Sequence, residues 1–141
     1  MLAVEIFTAL VAEYLGVNMR ESIYDYIEPI KSGAGVVLGY QVMKDKGYFS
    51  KRYQKHVKIY ASDEPYDGAS GAMDIDSFGW LFHDVLCREG VFSDGTSCTN
   101  WQASKVLSDI LKSEGRWFRS RSWLVATWLF GGGKARDNGM I

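Results

Sequence analysis

The chain has 141 residues at 15.9 kDa, 47% of them apolar and 23% charged, with only two prolines. That is enough for one hydrophobic core and too little for two, and it excludes a disordered or collagen-like chain. No window approaches the ~18 uninterrupted apolar residues of a membrane span, and a formal net charge of −1 names no partner class.

Segment 2–15 places Leu2, Ile6, Ala9, Leu10 and Leu15 at helical spacing, and Gly16 ends it. Its opening, Met1-Leu2-Ala3-Val4-Glu5, lacks the basic stretch of a secretory signal, so no Sec export is expected. Residues 19–30, with Ile23, Tyr26, Ile27 and Ile30, predict a second short helix, stopped by Pro29 and the Gly33-Ala34-Gly35 cluster. The runs at 36–40 and 56–60 read as strands on either side of a basic, turn-rich stretch around Gly47, so a small sheet or hairpin is expected over 36–62. Residues 62–71 hold Pro65, Asp67, Gly68 and Gly71 and read as a structured loop.

A helix is expected over 75–89. Its apolar face is Ile75, Phe78, Phe82, Val85 and Leu86, and a neighbouring stripe carries Asp76, Trp80, His83 and Cys87. A loop follows, with Asp94-Gly95 as its turn. Thr99-Asn100-Trp101-Gln102 then matches a capping box, opening a helix that turns Ala103, Leu107, Ile110 and Leu111 inward and ends near Gly115. A last helix from about Trp117 should bury Leu124, Val125, Trp128 and Leu129 and stop at Gly131-Gly132-Gly133. The expectation is an α+β fold: a mostly helical single domain of about four to five helices with a small hairpin or sheet around residues 36–62.

The charge total hides a partition. Residues 31–58 sum to +6, 59–87 to −6 and 112–136 to +5. Basic residues interleaved with Tyr48, Phe49, Tyr53 and Tyr60 have the makings of a track for a phosphate backbone with rings for bases. Against this stands neutralisation of the acidic middle within one fold, the reading that the slightly negative total favours.

Chemistry, if any, falls on Asp67 and on the His83-Asp84 pair, because an imidazole beside a carboxylate can serve as a base or a ligand near neutral pH. Adjacent helical residues diverge by ~100°, so Asp76 or Asp67 is the better partner for His83. The structural alternative has Asp67 capping its own turn and His83 donating to it inside the fold. Cys87 and Cys98 are compatible with a disulfide, two free thiols or half of a metal site, and absence of export favours free thiols. His83 and Cys87, at i and i+4, are the candidate zinc ligands, but the second close pair of a zinc site is missing and no cofactor is expected.

The order of these motifs resembles a phage and prophage family catalogued as domain of unknown function number 1353. The matching stretches are Tyr66-Asp67-Gly68-Ala69-Ser70, Leu81-Phe82-His83-Asp84-Val85-Leu86, Asn100-Trp101-Gln102-Ala103 and Trp128-Leu129-Phe130-Gly131-Gly132. They span roughly 57–133, leaving 1–56 as N-terminal helices with a basic hairpin and 134–141 as a tail. The chain departs from the family at Tyr66, where it has Thr, at Gly71-Ala72, where it has Ile-Pro or Val-Pro, and at Ser104, where it tends to have Asp. The resemblance implies a bacteriophage gene among tail, lysis or late structural genes.

The expected protein is therefore a virion-associated or late accessory component, made in the bacterial host cytoplasm. It would act through contacts with other phage structural proteins or with its own copies, with Trp117, Arg119, Arg121 and Trp123 as the contact surface, since Trp, Tyr and Arg supply most interface hot spots. Nucleic acid is the lesser partner in this expectation. The alternative is a small cell-envelope hydrolase, metal-assisted or not, using His83 with Asp67, Asp76 or Asp84.

Overall fold

A computed structural model describes residues 22–66 and 76–141, with only the backbone of 62–66. The helix expected over 2–15 and the loop from Asp67 to Gly71 lie outside these residues. The architecture is α+β, with two small antiparallel β units in the N-terminal part followed by helices.

The helix expected over 19–30 is replaced by a 3-10 turn, Ile23–Asp25, and strand β1, Ile27–Lys31. Ser22 accepts from the Tyr24 amide while Asp25 accepts from the Ser22 amide, which closes the turn and releases the chain into extended structure. β2, Val37–Val42, pairs antiparallel with β1, with Ile27 opposite Val42, both buried. β5, Ser62–Tyr66, flanks the other side of β2, so the stretch read as the start of a loop is a strand. β1 is an edge of this sheet, where Pro29, lacking an amide hydrogen, is tolerated.

The two runs read as strands do not pair with each other. β4, Lys55–Ile59, pairs instead with β3, Lys46–Ser50, and Gly47 sits inside a strand rather than a turn. Alternation sorts this ribbon. Tyr48, Ser50, Val57 and Ile59 turn inward, whereas Gly47, Phe49, His56 and Lys58 turn outward.

Among the described residues there are four α-helices: α1, Phe78–Glu89; α2, Asn100–Ser113; α3, Trp117–Phe130; and the short α4, Lys134–Asn138. Ser77 caps α1 by accepting from the Gly79 amide, and Gly90 ends it at φ 67°, a left-handed conformation that costs glycine little. The Thr99 and Gln102 side chains close the expected box at the start of α2.

One buried cluster draws on both halves, from Ile23, Ile27, Val42, Val57 and Ile59 to Leu81, Phe82, Leu86, Phe92, Val106 and Ile110. Much of the aromatic load lies at this seam. Tyr26 meets Phe78 edge to face at 5.4 Å, and Tyr40 meets Trp80, Tyr48 meets Phe82 and Tyr53 meets Phe92 at 5.6 to 5.9 Å. Such pairs add to the area they bury.

The stretch expected as a tail is tied into the helical half. Ala135 of α4 is fully buried, and the Asn138 amide donates to the carbonyls of Gly90 and Cys98. The Trp128 indole donates to the Met140 carbonyl, and the Asn100 amide N–H to that of Gly139.

Candidate functional site

The helix begins at Phe78, so Asp76 falls before it and only Trp80, His83 and Cys87 of the expected stripe lie on α1, where they face protein over most of their length. Trp80 is in the core against Tyr40. His83 is buried, and loss of hydration lowers its imidazole to about 4 from the usual 6.5. One turn on, the Cys87 sulfur lies 3.5 Å from His83 Nε2. Burial, with the Asp84 carboxylate adding to it, pushes that thiol up to about 12, and burial lifts Cys98 to the same value.

At neutral pH this pair is a neutral imidazole beside a protonated thiol. Zinc takes the thiolate, so burial works against metal binding here. Among the described residues no three His, Cys, Asp or Glu side chains gather closely enough to hold a metal ion, and both cysteines are free thiols.

His83 and Cys87 are thus brought together, and of the other described candidates Asp84 reaches Cys87 only through its charge. Asp76, exposed at the approach to α1, receives an Arg116 guanidinium hydrogen bond at 2.8 Å. Asp84 is half-buried on a different side of α1 from His83, and Asp67 lies outside the described residues. An imidazole titrating near 4 is a poor proton acceptor at neutral pH, so His83 has the chemistry of a core residue.

The expected contact helix departs from its sequence reading in an instructive way. α3 packs on α2 through hydroxyls: Ser120 Oγ lies 2.7 Å from Ser108 Oγ, and Thr127 Oγ1 donates to Ser104 Oγ at 2.8 Å. Ser104, Ser108 and Ser120 are buried. Because α2 offers serines at this contact, α3 turns its own small polar residues toward it, and Val125 and Leu129, expected inside, are 53% and 43% exposed. Phe118 and Phe130 are each 84% exposed.

At 100° per residue, Phe118, Ser122, Val125 and Leu129 form the outermost strip of α3. Arg119 and Arg121 flank that strip, and Trp117 and Trp123 lie farther round toward the α2 side. Trp117 is exposed under the Lys112 ammonium, Arg121 is exposed, and Arg119 and Trp123 are half-buried. The residues missed from sequence are therefore Phe118, Val125, Leu129 and Phe130. Two pairs of hydroxyl residues, four apart on α2 and seven apart on α3, were the available sign of which side faces inward.

Of the three charge blocks, the last meets the middle through Arg116 and Asp76. In the basic ribbon, Arg52 grips Asp109 with two 2.9 Å bonds and Lys55 reaches Asp94 at 2.7 Å, neither of them in the acidic middle. No protein-family model, curated protein or solved structure matches the chain.

Proposed function

We propose that the protein is a bacteriophage-encoded, virion-associated or late accessory component that works through protein contacts, with the outer strip of α3 as its docking surface. The observation that carries this reading is the inverted α3. A helix that spends its small hydroxyl residues on its own fold and leaves Phe118, Val125 and Leu129 in solvent presents apolar anchors at i, i+7 and i+11, the spacing that a groove on another protein receives. Arg121 and Trp117 at the rim suit the same role. The resemblance of the motif order to the phage family is what directs this reading to a phage particle or its assembly.

The test is detection of the protein in purified particles of the phage that encodes it, for wild type and for the double variant Phe118→Glu, Val125→Glu. Both sites are exposed, so the variant keeps its fold. The reading expects wild-type protein in the particles and at least a tenfold drop for the variant. Absence of the wild type, or equal incorporation of both, overturns it.

A further inference from the structure

We infer that the outward face of the β3–β4 ribbon is a binding surface for single-stranded nucleic acid. Cross-strand pairing puts Gly47 beside Lys58 and Phe49 beside His56 on that face, and Tyr60, two residues past Lys58 and exposed, extends the same row. The Phe49 and His56 rings lie 4.8 Å apart, tilted by 47°. Gly47 has open space where a side chain would stand, so of the rung between these rings and Tyr60 only Lys58 carries a side chain.

The ribbon and its turn also divide the aromatic residues. Tyr48 and Tyr53 turn inward onto Phe82 and Phe92, while Phe49 and Tyr60 keep their rings in solvent. Nothing in the core requires the outward pair.

The charges divide in the same way. Arg52 and Lys55 are held by Asp109 and Asp94, and Lys46 lies over the rings of Tyr26 and Phe78. Lys44 also lies over the Tyr26 ring, whereas Lys51 and Lys58 are exposed and among the described residues no ion pair engages either of them. The one acidic residue in register with the outward row, Asp45, accepts the Ala61 amide hydrogen at 2.8 Å at the far end.

Two exposed lysines with no ion pair among the described residues, set beside the solvent-facing edges of Phe49 and Tyr60, match a ligand that alternates phosphates with flat bases. The bases must be unstacked to meet those rings, which selects a single strand over a duplex. An acidic peptide would satisfy the lysines and leave the rings without a counterpart.

The experiment is fluorescence anisotropy of the full chain with a short labelled oligo-dT across a salt series. Two lysines predict a slope of log affinity against log salt near ~−1.4, and Lys58→Glu should make it shallower by ~0.7 and weaken binding about tenfold at low salt. Phe49→Ala should weaken binding severalfold and leave the slope unchanged, because it removes stacking and no charge. The proposal is overturned by absence of binding at low salt, by wild-type affinity in both variants, or by a duplex or a poly-glutamate peptide competing as well as the single strand. Both substitutions are at exposed positions, and circular dichroism confirms that the fold is kept.

Discussion

Replacing His83 with leucine should flatten the acid side of the stability profile. The folded-state imidazole stands at about 4 because burial strips the cation of hydration, and the unfolded chain returns it to the ordinary 6.5. Between those values the unfolded chain takes up a proton that the folded chain refuses. Stability from this group is therefore whole above about pH 6.5, drains as the pH falls, and stops draining below about pH 4. The gap corresponds to about 3 kcal/mol at full extent, of which about 2 kcal/mol is gone by pH 5.

Leucine has no proton to take up and suits a buried position, so the variant should lose far less over the same range. Two carboxylates could blur the result. Asp94, held well below the ordinary range by Lys55 and Thr96, stays ionised throughout this window and does not contribute. Glu114, raised by burial although Ser77 donates to it, takes up its proton more readily folded than unfolded, so acid favours the fold through that group. A Glu114→Gln background removes this opposing slope. Urea unfolding from about pH 7.5 to about pH 4.5, with the m-value checked for constancy, measures the difference. If the leucine variant weakened toward acid as steeply as wild type, His83 would not be the group responsible.

Three further outcomes are open to thermal or urea unfolding. Asn100→Ala should cost about 1–3 kcal/mol, because the buried amide that donates to the Trp128 carbonyl at 2.6 Å would leave the end of α3 unsatisfied. Gly133→Ala should cost about 2 kcal/mol or more, since φ is 92° and the new Cβ would meet the Cys87 carbonyl oxygen at 2.5 Å. Asp76→Asn should cost less than about 1 kcal/mol, and high salt should erase the effect, because the pair with Arg116 is half in water.

Local signals carried much of the fold. The Thr99 to Gln102 box, the ends of α2 and α3 and the periodicity of α1 depend on neighbours within a few residues, and all are visible in the chain. Pairing was less legible. Ile27 and Ile30, three apart, suit a helix face and fall on opposite faces of a strand, and only the arrival of Val42 opposite Ile27 makes the segment a strand. Gly47 reads as a turn because glycine usually marks one, yet an outward position on a ribbon needs no side chain. The direction of α3 was hidden for a related reason: Val125 and Leu129 look like core until Ser104 and Ser108 of another helix are placed beneath Ser120 and Thr127. His83 was identifiable as a residue of interest, but its protonation depends on burial, which no spacing reveals.

The hydroxyl contacts between α2 and α3 also bear on how a load would pass through the molecule. Apolar side chains can slide along one another and find new partners at each step. A buried hydroxyl cannot, because a shift of one turn would part Ser108 from Ser120 and Ser104 from Thr127 together and leave buried polar groups unpaired. The two helices are keyed rather than merely stuck. A pull on the outside of α3 would thus be passed to α2 and the core as a rigid displacement, with little creep along the helix pair.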